Sequence, residues 1–394
     1  MRKRMRFMRQ IFVLCGLFAV LFSYAMFQGG FVSWFLFYSF LPFGLYSLAI
    51  AIYPFHRASV RRMIYQRRYH AGDSLTATVE VRFPFWFPFV AMAIGENHVS
   101  TLNVAQTKAT IPFIWKKTFS YTYQLRELPR GEHVFTAIRL TATDFFGLVE
   151  KDSVYLLEET IIVYPRYIDM SYRKVRHYFE QGIAASSFLL HRDMTMAVGV
   201  REYAPGDRFS LVHWKASARK QQLMTKEFEE RQRDDLVIVL DRTPTPLFEE
   251  LVMFAASFLR ATIQHGVKTG LVSVGGDRAI FPARNGEPHL QQLFYHLAKV
   301  ICDSQEPFAR VISNEKAYWP STVAFCYITS YLSEEVALAL SKVPGCGNKE
   351  AVFLIKEDLT REERHSLEIL RRKGVHVAII SPRNMTTLRK GRDG

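Results

Sequence analysis

Cysteine is scarce in this chain of 394 residues, and its four cysteines lie at positions 15, 302, 326 and 346. None of them forms a pair with metal-ligand spacing, so the sequence does not fit a disulfide framework or a zinc site. It fits a reducing compartment instead. The sequence also lacks a glycine-rich phosphate loop ending in Lys-Ser or Lys-Thr, which argues against ATP hydrolysis by this chain.

Acidic residues are absent from the first 68 positions, which contain ten lysines and arginines. Without those ten, the net charge of +14 falls to +4, from 41 basic and 37 acidic residues in the rest of the chain. The excess positive charge therefore flanks two apolar segments, where it sets topology and binds anionic lipid headgroups. We expect no nucleic-acid partner. The hydrophobic content of 49% excludes a chain that is disordered throughout.

Two segments without charge follow one another near the N-terminus, residues 11–27 and 31–53. About 20 residues of helix cross the apolar core of a bilayer, so the second segment is ample and the first is just sufficient. Because basic clusters lie at both outer ends, we expect a transmembrane hairpin over residues 1–56 and a basic juxtamembrane segment over 57–68. The protein would be a multi-pass protein of the cell membrane with both termini in the cytoplasm.

A cleaved signal peptide is the competing interpretation of the first apolar segment, because Ser23-Tyr24-Ala25 resembles a small-x-small cleavage site. Cleavage would leave the second segment as a stop-transfer helix, with the arginine-rich segment after it still inside the cell. Both alternatives give the rest of the chain the same cytoplasmic location.

Residues 69–165 have the pattern of a small β-sandwich-like domain. Apolar and polar residues alternate from Leu75 to Phe83, which is typical of a half-buried strand. Further short β-rich runs follow at 120–125, 133–142 and 159–164, separated by turn residues.

Residues 231–382 have a different pattern, in which strands and helices alternate. The run 236–240 is apolar throughout, as expected for a strand buried on both faces of a parallel sheet. Helices predicted at 247–265, 287–300, 332–342 and 360–373 alternate with strands at 270–274, 322–328, 351–355 and 375–380. This pattern predicts a doubly wound α/β sheet, followed by a basic tail at 383–394.

The segment 166–230, between these two domains, is the most distinctive in the sequence. It contains Val-Gly-Val-Arg-Glu-Tyr-Ala-Pro-Gly-Asp at 198–207 and His-Trp-Lys-Ala-Ser-Ala-Arg at 213–219. With Thr-Asp-Phe-Phe-Gly-Leu at 143–148, this segment resembles the signature of the bacterial family called domain of unknown function fifty-eight. The resemblance implies a membrane-anchored protein whose C-terminal domain is similar to a von Willebrand factor A domain. It also implies frequent partnership with AAA+ ATPases of the MoxR type.

The charged and aromatic residues of the signature allow three interpretations. Ion pairs and stacked rings would lock the crossover to the α/β domain. The same residue types, when exposed, are enriched at hot spots and would bind a partner protein. Catalysis by His213 and Ser217 is the third, although no nucleophile-elbow sequence surrounds Ser217. The residues concerned are Arg201, Glu202, Tyr203, Gly206, Asp207, His213, Trp214, Lys215, Ser217 and Arg219.

Asp241 follows the apolar strand, and with Thr243 and Thr245 it resembles the Asp-x-Ser-x-Ser element of a metal-ion-dependent adhesion site. Carboxylate and hydroxyl oxygens at the carboxyl end of a strand suit Mg²⁺. The sequence departs from the pattern in the later loop 328–331, which offers hydroxyls but no carboxylate. The alternative is that Thr245 only caps the next helix, with Pro246 at its first position.

The sequence therefore favours a non-enzymatic binding or scaffold protein that faces the cytoplasm from a membrane anchor. It would recruit a MoxR-type AAA+ ATPase or another protein, with Mg²⁺ as the one candidate cofactor. The alternative function is a membrane-bound hydrolase that uses His213 and a neighbouring carboxylate.

Overall fold

The chain divides into two compact units, Met1–Arg166 and Tyr167–Gly394. The structure is a computed structural model that describes residues 2–66, 68–86, 89–99, 108–114, 116–144, 147, 149–170, 199–203, 212–227, 235–316, 323–341, 350–383 and 385. Each unit has its own sheets and its own hydrophobic core.

The first unit begins with two long apolar helices, α1 (Arg2–Gln28) and α2 (Phe31–Ile52). Both are long and apolar enough to cross a membrane. They pack closely where Gly44 of α2 meets Phe18 of α1, since a Cβ atom at Gly44 would lie 1.9 Å from the Phe18 ring. The two helices indicate association with a membrane, whereas their orientation in it stays a prediction.

The rest of the first unit is β-rich and forms two sheets. Its strands are β1 (Ser59–Ile64), β2 (Tyr69–His70), β3 (Leu75–Arg82), β4 (Phe89–Val99), β5 (Lys108–Ile114), β6 (Thr118–Leu125), β7 (Gly131–Thr143) and β8 (Glu150–Tyr164). One sheet has the order β1-β3-β6 and the other β2-β8-β7-β4-β5, with only β2 and β8 parallel among the described pairs. Side chains of both sheets enter one shared core. The predicted alternation along β3 is confirmed, and a sandwich stays a prediction.

Strand β1 lies where the sequence predicts only a basic juxtamembrane segment, 57–68. It pairs antiparallel with β3, and the buried Val60 faces the shared core. Arg62 contacts the domain itself: its guanidinium donates to Leu157 O and lies 5.0 Å from the centre of the Phe135 ring. The strand was missed because arginines interrupt its apolar pattern, and pairing with β3 supplies what the local sequence does not.

Contacts within the first unit join the β-rich domain to the end of α2. Lys151 Nζ donates to Ala51 O at 2.5 Å and to Tyr53 O at 2.7 Å, so it satisfies carbonyls that the helix end leaves open. Ser47 Oγ donates to Asp144 Oδ2 at 2.6 Å, and both of these side chains are buried. The end of α2 is therefore held by specific polar contacts.

The second unit contains a short hairpin and an α/β domain. In the hairpin, β9 (Gly199–Glu202) pairs antiparallel with β10 (Met224–Glu227), and α3 (Trp214–Lys220) lies between them in the chain. The α/β domain has strands β11 (Leu236–Leu240), β12 (Thr269–Val274), β13 (Arg278–Arg284), β14 (Ala324–Thr329), β15 (Glu350–Ile355) and β16 (His376–Ile380). Its helices are α4 (Phe248–Gln264), α5 (Glu287–Lys299), α6 (Phe308–Lys316), α7 (Glu334–Ser341) and α8 (Arg361–Arg372).

The sheet of the α/β domain has the order β13-β12-β11-β14-β15-β16. All neighbouring strands are parallel except β12 and β13. Helices α6, α7 and α8 share a core with one face of the sheet, while α4 and α5 pack together and α4 contacts β11, β12 and β14. Every residue of β11 is buried, which confirms the prediction for the run 236–240.

Candidate functional site

Asp241 lies at the carboxyl end of the central strand β11. Its backbone N–H donates to Ile328 O at 3.0 Å, which continues the parallel pairing of β11 with β14. After β11 the chain adds β12 on one side of it and later adds β14 on the other side, so the strand order reverses at β11. Crevices at such switch points are where open α/β sheets bind ligands.

Five side chains from two loops meet at this point, and we call them the carboxylate–hydroxyl cluster: Asp241, Thr243, Thr245, Thr329 and Ser330. Asp241 Oδ1 accepts from Thr243 Oγ1 at 2.6 Å and from the Thr243 backbone N–H at 2.9 Å. Asp241 Oδ2 accepts from Thr329 Oγ1 at 2.6 Å. Ser330 Oγ donates to Thr245 Oγ1 at 3.1 Å. The structure thus joins Thr243 and Thr329 to Asp241, and it joins Thr245 to Ser330, the residue after Thr329.

The carboxylate of Asp241 is buried without a cation. Its exposed fraction is 4%, and in the part of the chain that the structure describes no lysine or arginine forms an ion pair with it. Burial raises its pKa above the ordinary value of 3.8, while the hydrogen bonds from Thr243 and Thr329 oppose that rise. A buried anion stabilised only by neutral donors attracts a cation or a further donor.

Thr245, the predicted cap, lies two residues before the assigned N-cap of the next helix. Helix α4 starts at Phe248 with Leu247 as its N-cap, and the Leu247 side chain makes no capping hydrogen bond. Thr245 Oγ1 accepts from the Leu247 backbone N–H at 3.3 Å as well as from Ser330. Thr245 therefore joins the turn before the helix to the cluster.

Arg242, the next residue, belongs to a separate network that the sequence analysis did not find. Its side chain is 2% exposed and donates to Asp277 Oδ1 and Asp303 Oδ1, both at 2.5 Å, and to Ile301 O at 3.0 Å. A Cβ atom at Gly275 would lie 2.3 Å from Asp303 Oδ1, so the pair Gly275-Gly276 permits this close approach. A glycine pair directly after a strand indicates a tight turn, and it is the sequence signal that points to the network.

The rim of the same edge carries polar and aromatic side chains from two loops. Tyr331 is 48% exposed, and its hydroxyl donates to Glu362 at the start of α8. Lys356 Nζ lies 5.7 Å from the centre of the Tyr331 ring and donates to Glu363 Oε1 at 2.8 Å. Tyr331 is thus an exposed aromatic residue two positions after Thr329, and its backbone N–H donates to Thr329 Oγ1.

His213 has a capping role in the described contacts. Its Nδ1 accepts from the Ala216 backbone N–H at 3.1 Å, at the start of α3. Ser217 Oγ accepts from the Met224 N–H at 2.8 Å and donates to the His213 carbonyl, not to its ring. These contacts hold α3 against β10, and they do not form a nucleophile–base pair.

The remaining signature residues are partly exposed. Trp214 is 66% exposed, and Lys215, Arg219 and Glu202 are exposed as well. Within residues 212–227, the structure gives Lys215 and Arg219 no ion pair, and the predicted lock of the crossover stays a prediction. Tyr203 is half-buried and its N–H donates to Leu223 O. Gly206, Asp207 and the side chain of Arg201 lie outside the described residues.

Known proteins similar to this chain include one over nearly its whole length. The uncharacterized protein YeaD of Bacillus subtilis (strain 168) is 37% identical over 382 residues, which cover 94% of this chain and 95% of the relative. A family model described as protein of unknown function DUF58 matches residues 199–387. That range contains the β9–β10 hairpin and the complete six-stranded sheet.

Similar solved structures match only poorly. The bacterial hydrophobin BslA covers 25% of this chain and 96% of its own, at 12% identity and a TM-score of 0.18. The sporulation control protein Spo0M from Bacillus subtilis covers 27% of this chain and 49% of its own, at 13% identity and a TM-score of 0.16. Similarity at this level carries no argument about fold or function.

Proposed function

The chain belongs to the family of proteins of unknown function DUF58, and we propose that it is a membrane-anchored binding protein, not an enzyme. Helices α1 and α2 would hold it in the membrane, with both termini and both sheet-bearing parts in the cytoplasm. The charge distribution supports this orientation, because basic residues at both outer ends of the hairpin resist translocation.

The observation that carries the proposal is the carboxylate–hydroxyl cluster at the switch point of the α/β sheet. It provides a buried acceptor, four hydroxyls and an exposed aromatic rim. None of the described hydroxyls of this cluster contacts a histidine or lysine that would act as a base, so the described contacts suit binding better than bond cleavage. We therefore assign this edge to partner recognition.

We further propose a von Willebrand factor A-like character for the α/β domain, with Mg²⁺ at the cluster. The donor set fits this ion, since Asp241, Thr243 and Thr245 offer only hard oxygen atoms. With one carboxylate available, water and an acidic side chain of the partner would complete the ligands. The bound ion would link the cluster electrostatically to that incoming acid.

The partner that the family resemblance favours is an AAA+ ATPase of the MoxR type. The exposed signature residues Trp214, Lys215 and Arg219 are a second candidate contact, because exposed tryptophan and arginine are enriched at hot spots. A partner that contacts both this patch and the cluster would hold the second unit at two places.

The test is capture of a purified MoxR-type ATPase by the full-length protein in nanodiscs, with Mg²⁺ or with a chelator. We expect binding by the wild type in Mg²⁺, and at least a tenfold weaker interaction, about 1.4 kcal/mol, for Asp241→Asn or after chelation. Asp358→Asn is the matched control, because it removes the same charge from an exposed position in the loop after β15. Equal binding by all four samples would exclude the cluster as the contact and Mg²⁺ as its ligand.

A further inference from the structure

A short aromatic segment lies beside the end of the second apolar helix. We call Phe83-Pro84-Phe85-Trp86 the aromatic loop; it follows β3 and precedes β4. Phe83 is buried, whereas Phe85 and Trp86 are each 58% exposed. Two large aromatic side chains exposed side by side form an apolar surface that water does not favour.

The position of the aromatic loop is set by residues directly after α2. Tyr53 follows the last residue of the helix, and its hydroxyl donates to Phe85 O at 2.5 Å. The Phe83 ring packs edge-on against Tyr53 and Phe55, with centroid distances of 6.2 and 6.1 Å. The exposed side chains are therefore attached to the helix end and not to a distant part of the domain.

The end of α2 coincides with the edge of a bilayer if the helix spans it. Its 22 residues correspond to about 33 Å of helix. The apolar core of a bilayer is about 30 Å thick, and the polar contact of Asp144 with Ser47 marks where the β-rich domain begins to cover the helix. The end of α2, from Ser47 to Tyr53, therefore lies in the boundary region between acyl chains and headgroups. Tryptophan and other aromatic residues are enriched at this depth because one part of the ring is apolar and another is polar.

Positive charges also lie at the end of α2 to which the aromatic loop is attached. Lys151 Nζ lies at the carbonyls of Ala51 and Tyr53, and Arg57 is exposed two residues after Phe55. Cations at this boundary attract anionic headgroups. The charge and the apolar surface thus favour the same ligand, a lipid interface.

We propose that the aromatic loop inserts Phe85 and Trp86 into the headgroup–acyl boundary of the membrane that α1 and α2 span. This inference rests on the membrane anchor of the proposed function. It adds a third membrane contact, which would fix the β-rich domain close to the bilayer surface and limit its rotation about the hairpin.

The experiment is tryptophan quenching in the full-length protein, reconstituted in nanodiscs of lipids brominated near the top of the acyl chain. The fluorescence of Trp86 is obtained as the difference in intensity between the wild type and Trp86→Phe. Trp34→Phe reports α2 in the same way, and Trp214→Phe reports an exposed residue of the second unit. Relative to nanodiscs of the same lipids without bromine, we expect most of the Trp34 and Trp86 fluorescence to be lost and the Trp214 fluorescence to be unchanged.

Each other outcome overturns a specific statement. A quenched Trp34 with an unquenched Trp86 would refute insertion of the aromatic loop and leave the anchor intact. If neither is quenched, both the anchor and the loop contact are refuted. Equal quenching of Trp214 and Trp86 would also overturn the inference, because lipid contact would then not be specific to this loop.

Discussion

Asp241 and Arg242 are neighbours in the sequence, and both bury a charged side chain at the same edge of the sheet, but in opposite ways. Arg242 is paired with two carboxylates and further hydrogen-bonded to a backbone carbonyl. Asp241 has only hydroxyl and backbone N–H donors around it. The charge of Arg242 is therefore balanced by two acids, whereas the charge of Asp241 is not balanced by any cation among its described contacts.

This difference supports the proposed binding role of Asp241 and an architectural role for Arg242. The Arg242 network ties the loop after β11 to the β12–β13 turn and to residues 301–303. It thereby fixes the backbone that presents Asp241. We infer that Arg242 determines the shape of the edge, and that Asp241 provides the group through which the edge would bind its ligand.

The largest expected effect is that of Arg242→Met. Removal of the guanidinium breaks charge-assisted hydrogen bonds to two carboxylates and takes a donor from the Ile301 carbonyl, and water can replace the donor fully only at the exposed Asp277. We therefore expect a loss of about 3 kcal/mol in the free energy of unfolding. Arg242→Lys should recover only part of it, since an ammonium group cannot donate in a fork to two acids. Urea unfolding of the full-length protein in detergent measures both. A loss below about 0.5 kcal/mol would place Arg242 among ordinary surface positions.

A smaller effect is expected for Gly275→Ala. The added methyl group would lie 2.3 Å from Asp303 Oδ1 and 2.5 Å from Arg242 Cζ, so the network must shift at a cost of about 2 kcal/mol. In the Arg242→Met background, part of this conflict is gone and the cost should fall. Equal costs in the two backgrounds, measured as a double-mutant cycle, would contradict the packing argument.

Thr329→Val tests the donors of Asp241. Thr329 is fully buried and its hydroxyl donates to Asp241 Oδ2, so its loss should cost about 1 kcal/mol in the free energy of unfolding. Thr243→Val is the matched control: it removes a donor to the same carboxylate, but Thr243 is exposed and water can replace it. The comparison would fail if Thr243→Val were the more destabilising variant.

The smallest effects, and the most specific, are opposite dependences on pH. The hydrogen bond from Arg242 lowers the pKa of Asp277 in the folded state. The stability that the ionised Asp277 contributes to the folded state is therefore fully present above about pH 4, and it is lost as the pH falls through the lowered pKa. Asp277 is largely exposed, which limits this contribution to a few tenths of a kcal/mol. Burial raises the folded pKa of Asp241, so the folded state gains stability as the pH falls through that raised pKa towards about 4.

Both pH dependences can be measured as the free energy of unfolding of the wild type, Asp241→Asn and Asp277→Asn. A range of about pH 3 to 7 brackets the carboxyl pKa values. Relative to the wild type, Asp241→Asn should become less stable as the pH falls. Asp277→Asn should approach the wild type at the acidic end. Parallel curves for the three proteins would remove the distinction between the two sites.

Part of the candidate site could be predicted from the sequence. The apolar run before Asp241 predicted a central strand, and the hydroxyls at 243 and 245 predicted an oxygen-rich loop at its end. The contact of Asp241 with Thr329 could not be predicted from the local pattern, because it joins residues 88 positions apart through the pairing of β11 and β14. The buried Arg242 was missed because an arginine after a strand normally indicates an exposed loop.

Two further elements, strand β13 and helix α6, were not predicted from the sequence. Strand β13, which was not predicted, is an edge strand that contains Pro282, and its side chains are exposed or half-buried. Edge strands tolerate proline and polar residues, so they lack the apolar pattern that reveals central strands. Helix α6 was also missed, since it packs only through a few residues of the shared core, among them Phe308 and Ile312.

The sequence by itself determined the elements whose periodicity encodes their surroundings: the two apolar helices, the alternating strand β3 and the fully apolar strand β11. Tertiary structure decided which polar residues meet, because hydrogen bonds and ion pairs across the sheet depend on strand order and not on local pattern. It placed Thr329 on Asp241, joined Arg242 to Asp277 and Asp303, and set Phe85 beside Tyr53. Those three contacts turn a recognisable sequence into specific hypotheses about binding.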